Sequence, residues 1–360
     1  MIKNSISIIL LTIGIFACKK SEDSTVSSSF DHTAFLVNAA DNIIVPSYSN
    51  ALASVKDLET ATASFSSDPT DVNLENVQTK WKAAFVVWQS ASPFNFGPAD
   101  GTLKSLQELI ATYPINTSLT ETIILGEDYS FKDFNLDTRG FSAIGYLIHN
   151  GSNEEVLASF DRNRITYLTA IVADVVTRID EVTTAWQGAY RDVFVSNTST
   201  SAGGSISFYY NQFVISYESS KKYKLGFPAG LGAGQSGVQP ELLEAYYGEF
   251  SLELVKAHFT AIENVWYGKS SEGKNGSGFD DFLEAVDGGA ELKSQTISSL
   301  QNVRTKINAI PEGSLVETLN SDPSSVTSTV EEMQKHTRYF KSDLTTKIGI
   351  AITFSDGDGD

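Results

Sequence analysis

Apolar side chains recur at every third or fourth position over long stretches of this chain, and this spacing constrains its fold more than any other feature. Such spacing places the apolar side chains on one face of an α-helix, where a core can bury them. Strand-like alternation is scarce, and only residues 205–215 are open to either interpretation. The sequence therefore predicts an all-α protein. Its longest apolar stripe consists of Leu168, Ile171, Val172, Val175, Val176, Ile179, Val182 and Trp186.

Further stripes of the same kind lie on both sides of this one. Pro46 follows the first of them and is expected to interrupt or kink its helix, because proline lacks an amide hydrogen. The stripes are Phe35, Leu36, Ala39, Ile43 and Ile44; Trp81, Ala84, Phe85 and Trp88; Leu252, Val255, Phe259, Ile262 and Trp266; and Ile297, Leu300, Val303 and Ile307.

A polar stretch rich in serine and glycine, residues 197–205, has no periodic apolar signal and is the best candidate for a domain boundary. It separates residues 30–196 from residues 206–360, and each part is long enough for a four- or five-helix bundle. We therefore predict two helical bundles packed side by side. A second irregular stretch, residues 225–239, contains five glycines. It lacks the spacing of a phosphate-binding loop and is expected to be a long connection beside a functional cleft.

The start of the chain has the pattern of a secretory signal. Residues 1–17 combine a basic end with an apolar stretch too short to span a bilayer comfortably, and the single cysteine, Cys18, follows them directly. The run ending at Cys18 looks like a bacterial lipobox, so we expect a lipid on Cys18 and a flexible tether over residues 18–29. An ordinary cleaved signal or a misread start remains the alternative. The predicted location is the bacterial cell envelope, as a lipoprotein of the outer membrane that is either periplasmic or exposed on the cell surface.

The charge balance limits the classes of partner. Forty-four acidic residues against 26 basic ones give a formal net charge of -18. This charge argues against nucleic acid, because nucleic-acid affinity depends on lysine and arginine neutralising phosphates. It is compatible with cationic ligands or a basic partner surface, although solubility alone explains such a charge. The expected partner is the membrane, through the lipid on Cys18.

Residue types that carry chemistry are sparse. The four histidines, His32, His149, His258 and His336, are far apart in sequence, so no HExxH zinc motif exists. His336 has Lys335 and Arg338 beside it and is expected on a solvated surface. No Gly-x-Ser-x-Gly nucleophile motif is present. The alternating carboxylates at the C-terminus begin like a calcium loop but lack its later ligands, which leaves weak metal-ligand candidates at Asp356, Asp358 and Asp360.

Four stretches, taken together, resemble the imelysin-like (peptidase M75) family of bacterial envelope proteins, in its lipoprotein branch. The resemblance covers essentially the whole chain from about Phe30 and implies the family's pair of helical bundles meeting at a cleft. The stretches are the tryptophan helix 81–88 with the Phe-Asn-Phe-Gly-Pro turn at 94–98, the segment 139–147 in place of the Gly-x-His-x-x-Glu signature, the helix pair from Glu244 to Gly268, and the ending 348–358.

The departures from the family pattern decide what activity the resemblance implies. Carried over by position, the signature histidine is Ser142 and the signature glutamate is Gly145. An arginine of the tryptophan helix is replaced by Phe85, and a glutamate before the turn is replaced by Ser92. A hydroxyl is a poor metal ligand at neutral pH and glycine has no side chain, so the family's metallopeptidase chemistry is not expected here.

The resemblance therefore implies a non-catalytic binding component linked to iron or haem acquisition, with its ligand at the cleft between the bundles and with components of an envelope uptake system as candidate partners. A metallopeptidase with displaced ligands and a structural surface protein are the alternatives. Iron or another divalent cation is an optional cofactor that the sequence does not require. Instead of lining the cleft, Tyr146 could pack in the core and His149 could end the helix. The candidate cleft residues are Phe96, Asp100, Gly140, Ser142, Gly145, Tyr146, His149 and Glu244.

Overall fold

The computed structural model describes residues 30–131 and 134–354. Within these ranges the chain is helical and has no β-strand, apart from an isolated bridge between Lys269 and Asn275. The all-α prediction is thus confirmed. The helices are α1 (His32–Asn38), α2 (Val45–Ser67), α3 (Asp71–Ala91), α4 (Leu106–Ile110), α5 (Thr117–Gly126), α6 (Gly140–His149), α7 (Asn153–Ser159), α8 (Arg162–Gln187), α9 (Ala189–Ser196), α10 (Ser205–Ser219), α11 (Ser251–Trp266), α12 (Phe279–Glu284), α13 (Gly289–Asn308), α14 (Leu315–Ser321), α15 (Ser324–Arg338) and α16 (Leu344–Ile348).

Within the described ranges, three π-helical segments continue an α-helix without a break, and two of them join it to the next α-helix. They are Ala39–Ile44 between α1 and α2, Ser220–Gly226 after α10, and Tyr339–Asp343 between α15 and α16. The first of them corrects the expectation that Pro46 interrupts its helix. A wider turn directly before α2 accommodates a residue that has no amide hydrogen and whose ring crowds the preceding turn.

Helices α2, α3 and α8 form the centre of the N-terminal half, where α2 packs against both of the others and α6 packs against α3 and α8. The stripe on α3 is buried from Leu74 to Trp88, and the stripe on α8 is buried along its full length. Side chains of Thr70 and Asp161 accept hydrogen bonds from the first-turn amides of α3 and α8. These caps satisfy amides that have no partner within the helix.

In the C-terminal half, α10 packs on α11, α11 packs on α13, and α13 packs on α15. Residues 205–215, which were ambiguous in sequence, lie within α10. The two halves contact each other mainly through α3 and α11. An exposed ion pair between Lys82 and Glu253 (2.5 Å) also joins these two helices.

The buried apolar residues of the described ranges form a contiguous cluster that includes residues of both halves. Residues 197–204 form a non-helical connection between α9 and α10. The independence of the two halves as domains stays a prediction. Within the described ranges, no helix is both long and apolar enough to cross a membrane.

His336 corrects another expectation from the sequence. Its side chain is fully buried rather than solvated, and its ring packs edge-on against Phe340 with centroids 4.3 Å apart. Nδ1 forms a hydrogen bond with the Ser299 hydroxyl (2.9 Å). Charged neighbours in sequence lie on the other faces of α15, so they do not report the environment of this face.

Candidate functional site

A cavity of about 240 Å³ lies where α6 faces the segment that precedes α11. We call it the cleft cavity. It brings together three of the residues that the sequence singles out, namely Ser142, Gly145 and Glu244. The remaining lining residues are Trp81, Tyr113, Pro114, Ile115, Thr117, Glu241, Leu243, Ala245, Tyr246 and Tyr247. Its walls are therefore mostly aromatic and apolar, with a few polar groups, as is usual for a small-molecule site.

Helix α6 supplies one wall of the cleft cavity, and Gly140 fixes where this helix begins. Gly140 has a φ of +73°, a conformation that side-chain-bearing residues adopt at a cost. A Cβ atom at this position would lie 2.1 Å from the carbonyl oxygen of Ile110. Only glycine fits this close approach, so Gly140 has a structural role at the helix start. From Gly140 to Ile148 every residue of α6 is buried.

The indole ring of Trp81 is held between two glycines that come from different parts of the chain. A Cβ atom on Gly145 would lie 2.5 Å from Cζ2 of this ring, and one on Gly248 would lie 2.6 Å from Cζ3. Nε1 of Trp81 donates a hydrogen bond to the Phe141 carbonyl (2.9 Å), and Phe250 packs edge-on against the ring (5.0 Å). The space beside Gly145, where a longer side chain would start, is thus filled by the indole.

Glu244 belongs to a buried ion pair. Its carboxylate accepts hydrogen bonds from the Lys224 ammonium at Oε2 and from Gln89 Nε2 at Oε1 (3.2 Å). Lys224 also donates to Gln89 Oε1 (2.9 Å). The side chains of Lys224 and Glu244 are 6% and 2% exposed, so each charge is removed from water and depends on the other. This network connects α3, the π-helical segment after α10 and the segment before α11.

The polar groups of the cleft cavity are hydroxyls and carboxylates. Ser142 Oγ donates to the backbone carbonyl of Glu244 at 3.5 Å, which is a weak contact. Burial, followed by the nearby charge of Glu244, raises the pKa of Tyr113 well above its usual value. Tyr246 and Tyr247 pack edge-to-face (5.1 Å). The cavity therefore offers neutral hydroxyl groups on an aromatic surface, and no basic side chain lines it.

Tyr146 and His149 do not line the cleft cavity, but they pack against Tyr247 (5.2 Å) and Trp81, which do. Tyr146 is 7% exposed and donates to Glu121 Oε1 (2.7 Å). His149 ends α6, and its ring lies 5.1 Å from the Trp81 ring. Burial lowers the pKa of His149 to about 4. These placements match the alternative in which Tyr146 packs in the core and His149 ends the helix.

Phe96 and Asp100 are also distant from the cleft cavity. Phe96 is buried in an aromatic cluster, where it packs edge-on against Trp186 (5.7 Å), and Asp100 is exposed. Cys18, Asp356, Asp358 and Asp360 lie outside the described residues.

The helical turn that carries Ser142 and Gly145 does not fit a bound metal ion. Ser142 donates its hydrogen to a carbonyl, Gly145 has no ligand atom in its side chain, and both oxygens of Glu244 accept hydrogen bonds. Across residues 30–131 and 134–354, no group of three or more histidine, cysteine, aspartate or glutamate side chains has an arrangement suited to a metal.

Sequence reasoning missed two parts of this site. Gln89 and Lys224, which hold Glu244, are separated by 135 residues, and no local pattern connects them. Tyr113 lies in an irregular segment without helical periodicity. The packing of Trp81 did leave a signal in the sequence. Glycine allows close packing of a large ring, and Gly145 and Gly248 are the glycines that contact the Trp81 ring.

Fold and sequence together define the class of this protein. The family model Peptidase_M75 (Imelysin) matches residues 44–342, and the chain belongs to this family. The departures at Ser142 and Gly145 therefore lie within an imelysin-family chain.

Individual relatives agree with this assignment. Iron-regulated protein A of Synechococcus elongatus is 27% identical over 246 residues, which cover 65% of this chain and 64% of the relative. The match thus spans a little under two thirds of that protein.

Two solved structures share the fold. A protein of Parabacteroides distasonis, provisionally assigned as an iron-regulated protein A precursor, superposes with a TM-score of 0.70 at 17% identity, over 87% of this chain and 95% of that one. An imelysin-like protein of Psychrobacter arcticum gives a TM-score of 0.71 at 16% identity, over 90% and 97% of the two chains.

Proposed function

We propose that this protein is a non-catalytic binding component of the cell envelope, that it acts in iron acquisition, and that its ligand enters the cleft cavity. The link to iron rests on the similarity to a protein named for its regulation by iron. The non-catalytic role and the cleft location rest on the arrangement around Ser142 and Gly145.

The observation that carries the proposal is the Trp81 ring beside Gly145. The position that the resemblance assigns to a glutamate carries no side chain, and the adjacent space is occupied by a ring held on two sides. A metallopeptidase needs at least three protein ligands and an open coordination position for water. What remains at this turn is a cavity of about 240 Å³ with hydroxyl and aromatic walls, which suits binding rather than hydrolysis.

The location in the envelope rests on the sequence alone. Residues 1–17 followed by Cys18 favour a lipid anchor. Metabolic labelling with a palmitate analogue, compared between the wild type and Cys18→Ser, tests this part. We expect label only on the wild type, and equal labelling of both forms would contradict the anchor.

Catalysis is tested on the purified protein by two measurements. Metal content is determined by mass spectrometry, and cleavage of an unfolded protein substrate is followed with and without a chelator. We expect no stoichiometric metal and no chelator-sensitive cleavage. Stoichiometric zinc together with chelator-sensitive cleavage would establish the displaced-ligand peptidase instead.

The cleft location is tested by filling the cavity. Thr117 lines it from the first turn of α5, whereas Thr122 on the same helix is exposed. Haemin and ferric citrate serve as separate probes in equilibrium titrations of Thr117→Trp and, as the matched control, Thr122→Trp. We expect binding of at least one probe to be lost only in Thr117→Trp. Equal binding to both variants, or no binding of either probe to the wild type, would contradict the cleft as the site for iron-containing ligands.

A further inference from the structure

A second cavity, of about 370 Å³, lies on the other side of the Lys224–Glu244 ion pair. It is bounded by α4 and the irregular residues around it, by α10 and by α11, and Lys224 and His258 also line it. Thirteen of its fifteen lining residues have side chains that can form hydrogen bonds, the exceptions being Ala111 and Ile215. The atoms that these residues expose to the cavity are nonetheless mostly apolar, as they are in the cleft cavity, and Tyr113 lines both cavities.

Each ionisable group of the second cavity, its phenols apart, is already neutralised by the protein. Lys224 is paired with Glu244. Glu108 is paired with Lys104 (3.1 Å). His258 is fully buried, and burial, followed by the nearby Lys224 charge, lowers its pKa to about 3, so its ring is neutral at pH 7. A ligand with a net charge would have no uncompensated countercharge to meet. The site is therefore matched to a neutral ligand.

Two lining groups have hydrogen-bonding capacity that the protein does not use. Gln107 Oε1 is buried and has no partner among the described residues. The Lys224 ammonium has three hydrogens, and two of them are donated, to Glu244 and Gln89. One group thus needs a donor and the other needs an acceptor. A hydroxyl group serves as either, so a ligand that carries several hydroxyls satisfies both groups.

An aromatic ring completes the lining. Tyr223 is 47% exposed while lining the cavity, and its ring is held perpendicular to that of Phe227 (5.2 Å, 87°). A partly exposed tyrosine ring provides an apolar surface with a polar edge. The C–H face of a sugar ring or the carbon chain of a polyol packs on such a surface while the hydroxyls reach polar neighbours.

We propose that the second cavity binds a neutral, hydroxyl-rich small molecule of the sugar or polyol class. Nothing in this inference depends on the ligand of the cleft cavity. It follows from the cancellation of charge, the unused donor and acceptor, and the exposed tyrosine ring.

The test compares ligands that share one ring and differ in charge. Glucose (neutral), glucuronate (anionic) and glucosamine (cationic) are titrated into the full chain and followed by calorimetry and ligand-detected NMR, and sorbitol distinguishes an open polyol from a ring. We expect glucose or sorbitol to bind at least about tenfold more tightly than both charged sugars. The proposal would be overturned if either charged sugar bound more tightly than glucose and sorbitol. It would also be overturned if neither glucose nor sorbitol showed saturable binding at ligand concentrations well above about 1 mM.

Variants locate the binding. Gln107→Leu removes the buried acceptor at nearly constant volume, and Tyr223→Ala removes the ring from a position that is half exposed and thus tolerant. Each is expected to weaken the binding of the neutral ligand at least about tenfold. Thr117→Trp, which fills the cleft cavity, serves as the control and should leave this binding unchanged. Unaltered binding in both Gln107→Leu and Tyr223→Ala, or its loss in Thr117→Trp, would place the ligand elsewhere and refute the assignment.

Discussion

Replacing Gly145 by alanine adds one methyl group at the most crowded point of the candidate site. The new Cβ would lie 2.5 Å from Cζ2 and 2.8 Å from Cη2 of Trp81, which is well inside van der Waals contact. Such a clash is cheap only if the neighbour can move. Trp81 is 1% exposed, donates a hydrogen bond through Nε1, and has Gly248 and Phe250 on its other side. The ring can therefore yield only towards the cleft cavity that it lines, and only by giving up these contacts.

The magnitude follows from two opposing effects. Overpacking of a core typically costs about 1–3 kcal/mol, and a buried ring held by a hydrogen bond and by packing places this site near the upper value. Alanine in place of glycine within a helix gains about 0.5–1 kcal/mol. The expected net loss in the free energy of unfolding is thus about 2 kcal/mol, or about a 30-fold change in the folding equilibrium.

Urea denaturation measures this loss as a lower midpoint at an unchanged m-value. Gly126→Ala is the matched control, because Gly126 is also helical and a Cβ there meets nothing within 4 Å. It should be neutral or slightly stabilising. In a Trp81→Phe background the smaller ring relieves the contact, so the cost of Gly145→Ala should fall by about 1 kcal/mol or more. If Gly145→Ala is as stable as the wild type, the tight packing of the Trp81 ring between Gly145 and Gly248 is refuted.

Three further predictions concern the buried polar groups and the start of α6. Gly140→Ala should cost about 3 kcal/mol or more in urea denaturation, because a left-handed backbone conformation and a clash with a carbonyl oxygen act together; a loss below about 1 kcal/mol would contradict this. Lys224→Met should lower the free energy of unfolding by about 3–5 kcal/mol, because it leaves Glu244 charged and buried. The double variant Lys224→Met/Glu244→Gln should recover much of this loss. Lys82→Met, which breaks the exposed ion pair, is the control and should cost less than about 1 kcal/mol. The pKa of His258 falls from 6.5 to about 3 on folding, so the unfolded state binds the proton more readily and the free energy of unfolding should fall as the pH drops from about 6.5 towards 3. In His258→Gln this dependence on pH should be weaker by up to about 1.4 kcal/mol per pH unit. An unchanged dependence would refute the buried neutral state.

The helices were predictable because their signal is local. The stripes on α3, α8 and α11 each repeat with the period of a helix, and the structure buries these faces. Pro46 was misjudged because the sequence does not show that a π-helical turn precedes it. His336 was misjudged because charged residues adjacent in sequence point to other faces of the helix than the buried one.

The candidate site was predictable only in part. Family resemblance pointed to Ser142 and Gly145, and the cleft cavity indeed contains both. The ion pair of Lys224 with Glu244 and its connection to Gln89 depend on how the two halves of the chain meet. Phe96 and Asp100 were chosen from the same resemblance, but nearness to a turn in sequence does not bring a side chain to the cavity.

The indole held between two glycines also has an evolutionary consequence. A chain with this packing cannot acquire a glutamate at position 145 by one substitution, because the new side chain would start in contact with the ring of Trp81 at 2.5 Å. The tryptophan would have to be replaced by a smaller residue first, and that intermediate would lose buried contacts. Any route to a longer side chain at position 145 would therefore pass through a less stable intermediate, so this packing restricts which substitutions the position accepts.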